Sequence, residues 1–239
     1  MHRRLCRLAG LAIGIAIQVF GEDLKSTKQL EGILQELQKI RALLERFQSG
    51  GESARASSIV AMDLDGEPLG SPEAPITIVE FADYQCPYCK DFFRRTFTDI
   101  KKTYIDSKRV RYFVIDLPSP SHPHALRAAQ AVRCAGEQGR YWAMREALLA
   151  ADEGVDSEGL TSIGQRLNVD VEELRQCVES GRYKEAIQQD VKTAATKGIR
   201  GTPTFVVGKS IQGGVEGEVV VGSVPFGIIE KKLKQLENK

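Results

Sequence analysis

Ile76-Thr77-Ile78-Val79-Glu80-Phe81-Ala82-Asp83-Tyr84-Gln85-Cys86-Pro87-Tyr88-Cys89 joins an apolar, β-rich run to two cysteines spaced as Cys-x-x-Cys. Ile, Val and Phe dominate Ile76 to Tyr84, the composition of a buried strand. Downstream, Pro87 to Ile105 can form an amphipathic helix, and Arg109 to Leu117 is a second β-rich stretch. Together they predict a β-α-β unit with the cysteine pair at its strand-to-helix turn.

That placement turns two thiols into a redox couple. Unpaired N–H groups and the macrodipole at a helix start favour an anion, so the Cys86 pKa is expected to fall from ~8.5 into the ~3.5 to 7.5 range. Cys86 is the expected attacking sulfur. Cys89, one turn later on the same face, is placed to resolve a mixed disulfide. Half of a zinc site and an inert thiol pair are the alternatives, but no second Cys-x-x-Cys exists to complete a tetrahedral site. His122 and His124 could add ligands, although Ser-His-Pro-His after a strand reads more simply as a loop leading into a helix.

Working outward, residues 123 to 198 hold several helical stretches and no convincing strand, with Asp170 and Glu173 offering a capping box. Strands return at Thr204 to Val207 and Glu218 to Val221, joined by a turn around Gly213, Gly214 and Gly217, before a last helix capped by Ser223. The expected architecture is α/β, with a helical block set between two halves of a sheet. Gly201-Thr202-Pro203-Thr204 opens the first of the returning strands, a position compatible with a cis peptide bond in a tight turn.

Towards the N-terminus, Arg3, Arg4 and Arg7 precede the apolar stretch Leu8 to Phe20, which ends at Gly21 with Val19 two positions before it. The stretch is too short for an ordinary membrane-spanning helix, so residues 1–21 read as a secretory signal peptide, the alternative being an uncleaved anchor. Cys6 would leave with it. Cys86, Cys89, Cys134 and Cys177 would remain, an even set suited to an oxidising compartment. Cys134 and Cys177 both sit in helical stretches and are expected to form a structural disulfide, two separate core cysteines being the alternative. Across the whole chain 33 Lys+Arg balance 32 Asp+Glu, with no basic run and no interleaved aromatics, which argues against a nucleic-acid partner.

Leu30, Ile33, Leu37, Ile40, Leu44 and Phe47 step by threes and fours, an a/d seam within a stalk of residues 22–48. Leu at a with Ile at d favours assemblies above the dimer, so a trimer is expected, with a dimer or tetramer next. The alternative is that the seam docks on the chain's own globular domain. Residues 49–58, rich in Ser, Gly and Ala, read as a linker, and the globular domain as 59–239.

The stretch Leu69-Gly-Ser-Pro-Glu-Ala-Pro-Ile76 running on to Cys89-Lys90, followed by Gly198-Ile-Arg-Gly-Thr-Pro-Thr-Phe205, closely resembles the DsbA-like branch of the thioredoxin superfamily. The resemblance covers residues from about 60 to 236. It implies a thioredoxin fold with a helical insertion at about 120–198. It also implies that Pro203 is cis and abuts the Cys86 sulfur, that Thr202 contacts substrate through its backbone, and that Pro87 and Tyr88 tune the site and, with Thr202 and Pro203, bind substrate. Glu80 matches the family's buried acid, which would pass a proton to or from Cys89. A solvated glutamate at a strand edge is the other possibility, though Ile78, Val79 and Phe81 favour burial, which would raise its pKa.

The implied activity is thiol-disulfide exchange on cysteine-containing exported proteins, in the periplasm or another extracytoplasmic compartment, with a membrane redox partner and no metal or organic cofactor. Strongly oxidising members carry His and Val where this chain has Tyr88 and Thr202, so oxidase, isomerase and reductase all stay open. A trimeric stalk resembles the suppressor-of-copper-sensitivity branch. The rival from another class is a metal-handling or chaperone-like binding protein on the same fold.

Overall fold

The computed structural model describes residues 31–41, 59–64, 66, 68–151 and 156–238. The expected signal peptide at 1–21, the expected linker at 49–58 and three of the six seam residues, Leu30, Leu44 and Phe47, lie outside the described residues. The chain divides into two units, Met1–Ala56 and Ser57–Lys239. In the first, residues 31–41 are helical, as the heptad pattern predicts, and Ile33, Leu37 and Ile40 are each more than half exposed.

The second unit is built on a five-stranded sheet. Its strands are β1 (Ile59–Asp63), β2 (Ile76–Ala82), β3 (Val110–Asp116), β4 (Thr204–Ile211) and β5 (Gly214–Val221), in the order β1-β5-β4-β2-β3. Only β2 and β3 are parallel, joined by the helical run α1, which is α-helical over Pro87–Phe92 and Thr98–Ile100 and π-helical over Phe93–Phe97 and Lys101–Ile105. This is the expected β-α-β unit.

Central strand β2 is buried along its whole length, and its period of two divides it between two cores. Ile76 and Ile78 pack with Phe92, Phe97, Ile100 and Phe205 on the α1 face. Val79 and Phe81 pack with Phe113, Val206 and Val215 on the other. The same alternation sends Glu80 to the α1 face.

The helical block holds α2 (Ala125–Glu137), α3 (Tyr141–Ala150), α4 (Ser157–Arg166), α5 (Val171–Glu179) and α6 (Lys184–Thr196), with no strand among its described residues. Its core, with Val132, Met144 and Leu148, also takes in Tyr84, Cys86 and Cys89. Cys134 on α2 and Cys177 on α5 are bonded, with sulfurs 1.98 Å apart.

Several local expectations need correction. β1, a five-residue strand without polar-apolar alternation and so with little sequence signal, is an addition to the expected strands; it pairs antiparallel with β5. β4 and β5 outrun the stretches read from sequence, since Gly208 and Gly217 do not end the strands but face each other across them. A Cβ on Gly208 would lie 2.0 Å from the Glu216 carbonyl oxygen, so the close backbone approach admits only glycine. Ser223 does not cap the last helix, α7 (Phe226–Glu237): Pro225 occupies that position, and the Ser223 hydroxyl donates to Asp91 Oδ2 at 2.7 Å. Asp170 does cap α5, accepting from the Glu172 and Glu173 amides at 3.0 Å. The return bond of the box comes instead from Gln138 Oε1, which accepts from the Asp170 amide at 2.8 Å.

Candidate active site

Cys86 is the N-cap residue of α1, in extended conformation, with Pro87 the first helical residue. Proline suits that position because the first-turn N–H it lacks has no helical partner. Cys86 is 5 % exposed and Cys89 is fully buried, whereas Tyr88 between them is 66 % exposed. Across from the helix start, the Cys86 thiol donates to the Thr202 carbonyl at 3.5 Å, and the Thr202-Pro203 peptide bond is cis. Chain segments more than a hundred residues apart thus meet at one sulfur.

The Cys86 thiol is lowered to about 5. The largest cause is the Cys89 thiol, which donates to the Cys86 sulfur; burial opposes it, and the Thr202 side-chain hydroxyl and the Cys89 and Tyr88 amides add to the lowering. Cys89 moves the other way, pushed well up by burial first, then by its bond to Cys86 and by the charge of Glu80. The two sulfurs are therefore unlike: one an anion at neutral pH, the other a thiol.

A depressed thiol pKa stabilises the reduced fold fully above the free-thiol value near 9, partly at neutral pH, and not below about 5. Alkylation of the reduced protein, followed against pH, is expected to be near maximal at pH 7 and to halve near pH 5, with modification mapped to Cys86. A midpoint near the free-thiol value would remove the activation.

Glu80 is buried beneath the pair, at 0 % exposure. Its carboxylate is ion-paired with Arg145 of α3, also fully buried, and Oε2 accepts from the Tyr112 hydroxyl at 2.8 Å. Burial and the Glu80 charge push Tyr112 well up, so its hydroxyl remains a donor. The Arg145 guanidinium lies among four rings, with centroids at 4.6 Å (Phe97), 5.6 Å (Tyr112), 5.8 Å (Trp142) and 5.9 Å (Phe93).

Sequence reasoning missed Arg145 and Tyr112. Arginine in a helical stretch reads as solvated, and only the tertiary fold brings it to a strand 65 residues away. Beyond this pair lies a second buried ionic group: Asp116, at the end of β3, accepts from Arg133 Nε at 2.6 Å, and Arg133 also pairs with Asp190. Burial raises the Asp116 carboxyl, and Arg133 opposes the rise.

Neither histidine joins the cysteines as a metal ligand. His122 Nδ1 lies 2.7 Å from Asp83 Oδ2, and the His124 amide donates to Gln85 Oε1 at 2.9 Å. Among the described residues no group of three His, Cys, Asp or Glu side chains gathers as a metal ion would require.

A thioredoxin family model matches residues 65–216. The chain is 33 % identical over 199 residues to "Na(+)/H(+) antiporter NhaA 3" of Salinispora tropica, covering 82 % of this chain and 29 % of the antiporter. It spans only 24–34 % of the length of the antiporter relatives it matches over longer stretches. It is 26 % identical over 152 residues to "Probable disulfide bond formation protein D" of Bacillus anthracis, covering 58 % of this chain and 68 % of that one. Among solved structures, α-DsbA1 of Wolbachia pipientis superposes with a TM-score of 0.65 at 24 % identity, over 74 % of this chain and 94 % of that one.

Proposed function

The chain belongs to the DsbA-like branch of the thioredoxin superfamily, and from that premise we propose that it is a thiol-disulfide oxidoreductase using Cys86 and Cys89. The observation that carries the proposal is the division of labour between the sulfurs: a stabilised Cys86 thiolate at the helix start, over a buried Cys89 thiol. In the reducing direction, Cys86 attacks one sulfur of a substrate disulfide and the other leaves as a thiolate. Cys89 then loses its proton and attacks the Cys86 sulfur, releasing the second substrate thiol and leaving the enzyme oxidised. Run backwards, the same steps oxidise a substrate dithiol.

Thr202 and Pro203 face Cys86 as a docking edge for the substrate backbone, and the exposed Tyr88 supplies apolar contact beside it. Glu80, whose charge acts on Cys89, is the buried acid assigned to passing a proton to or from that thiol. The Cys134–Cys177 bond secures the insertion. Cys86→Ser is expected to abolish exchange, and Cys89→Ser to trap mixed disulfides, because serine keeps a hydroxyl donor to Cys86 but cannot resolve. Trapping by Cys86→Ser instead would reverse the assignment.

The substrates are cysteine-containing exported proteins, reached through the signal peptide at residues 1–21, with a membrane redox partner resetting the cysteines. Thiolate stabilisation favours the reduced enzyme and hence the oxidation of substrates. The stalk pulls the other way. Chains joined through residues 30–47 would present several Cys86 sites at high effective concentration, which suits isomerisation. The exposed Ile33, Leu37 and Ile40 support assembly. Deleting residues 22–50 is expected to yield a monomer that loses isomerisation of scrambled disulfides while keeping dithiol oxidation. Equal isomerisation by the truncated chain would leave a plain oxidase.

A further inference from the structure

We propose that the groove between the β3–α2 loop and α6 holds an apolar stretch of the substrate polypeptide beside its reacting cysteine. The proposal rests on the exchange reading above and deepens it by naming the substrate class: unfolded chains with bulky apolar residues near a cysteine.

The loop after β3 reads Pro118-Ser119-Pro120-Ser121-His122-Pro123, with a proline at three of six positions. Each proline fixes its own φ, so the loop has little backbone freedom left to lose. Tertiary bonds hold it further. The Ser119 amide and His122 Nδ1 both meet Asp83 Oδ2, at 2.8 and 2.7 Å, and the Leu117 amide donates to the Ala82 carbonyl at 2.8 Å. Opposite this wall, α6 contributes Ile187 and Val191. Between them lies a groove of about 440 Å³, lined on the loop side by the three prolines and Leu126. Its volume is that of a site for a small ligand or a few side chains, and its walls are already formed, which lowers the cost of filling it.

The two walls lead to the two halves of the active site. The loop is bonded to Asp83, whose carbonyl accepts from the Cys86 amide at 3.1 Å. On the other side α6 ends at Thr196, and residues 197–201 connect it to Thr202, whose carbonyl meets the Cys86 sulfur. Ile187, at the floor of the groove, belongs to the core that contains Cys86 and Cys89, and Leu126 packs against that core. A substrate strand laid along Thr202 and Pro203 is therefore carried at one end towards the groove.

Pro120 and Pro123 are exposed, and Leu126 and Val191 are half-buried. Apolar surface left open in this way gains free energy when an apolar segment covers it. A polypeptide brings such a segment with its cysteine. Bulky apolar residues near a cysteine are accessible mainly before a chain has folded, which is when its disulfides form. Lys192 stands on the rim, and among the described residues no carboxylate lines the groove, so an acidic residue beside the apolar ones is favoured over a basic one.

The test is single-turnover oxidation of the reduced full-length protein by short peptides, each carrying one cysteine as a mixed disulfide with a chromogenic aryl thiol. Cys86 attacks the peptide sulfur and the coloured thiolate leaves. Cys89 then attacks the Cys86 sulfur and the peptide thiol leaves, so the protein dithiol is oxidised and the mixed disulfide reduced to two thiols. A peptide with leucine at the second to fourth positions on both sides of its cysteine is expected to react about tenfold faster than its serine counterpart. Val191→Lys, which brings an ammonium into the groove, is expected to lower that ratio to about two, and Val191→Ile to keep it. Glutamate beside the leucines is expected to be preferred over lysine about threefold, and Lys192→Glu, on the exposed side of α6, to reverse that order.

Equal rate constants for the leucine and serine peptides in the parent protein would overturn the proposal. So would a leucine preference intact in folded Val191→Lys, which would move the apolar contact to Tyr88, or to a second copy of this chain in the groove if the variant also sedimented differently. Should Val191→Lys not fold, Lys192→Glu decides alone, and an unchanged order of the glutamate and lysine peptides would overturn the groove. A parent protein that released no coloured thiol from either peptide or from the small aryl disulfide would instead remove the exchange chemistry on which the proposal stands.

Discussion

Arg145→Met is expected to lower the free energy of unfolding by about 3–5 kcal/mol, because it leaves the Glu80 carboxylate buried without its counter-ion. Methionine nearly fills the volume among Phe93, Phe97, Tyr112 and Trp142, so the loss reports charge more than packing. Pairing it with Glu80→Leu is expected to restore part of the stability, since an apolar pair replaces a buried ion pair at little net cost while the buried Tyr112 hydroxyl loses its acceptor. Urea unfolding of the two single variants and the double variant forms the cycle. A loss below about 1 kcal/mol in Arg145→Met would mean that water reaches Glu80. The double variant is also expected to exchange disulfides poorly, because it removes the charge that acts on Cys89.

Removing the bond between α2 and α5 is the other large effect. Cys134→Ala with Cys177→Ala is expected to cost about 4 kcal/mol, the chain-entropy value for a bridge of this span. The cost falls on the helical block, where both sulfurs sit in the core beside Val132, Leu174 and Val178. Cys86 and Cys89 are untouched, so exchange should persist at temperatures where the variant stays folded. Denaturant midpoints of the parent and the double variant give the difference. A shift below about 1 kcal/mol would show that packing alone holds α2 against α5.

Much of the scaffold was legible because its signals are local. The run from Ile76 to Tyr84 contains its own strand pattern, and Pro87 marks the helix start. The Cys-x-x-Cys spacing places both sulfurs on one face without knowledge of the rest of the chain. The misses share a different cause: they depend on partners far away in sequence. Gly208 looks like a strand end until Gly217 stands opposite it. Ser223 looks like a cap until Asp91 claims its hydroxyl. Arg145 looks solvated until α3 is laid over β2, and His122 looks like a loop residue until Asp83 lies beneath it. The chemistry of the pair was thus readable from a dozen residues, while the groups that tune it were not.

The position of Arg145 bears on how the chain can be divided into modules. The acid beneath Cys89 belongs to the sheet, and its cation belongs to the inserted block. Replacing the insertion with a short connector between β3 and β4 would therefore not give a smaller version of the same enzyme. It would give a sheet with an orphan charge at its centre, unstable until Glu80 was also changed. Transplanting the block into a relative would fail in the same way wherever the recipient strand offers no acid to receive the arginine. Sheet and insertion are separable on a topology diagram but form one electrostatic unit, and a trimming or grafting experiment would have to move Glu80 and Arg145 together.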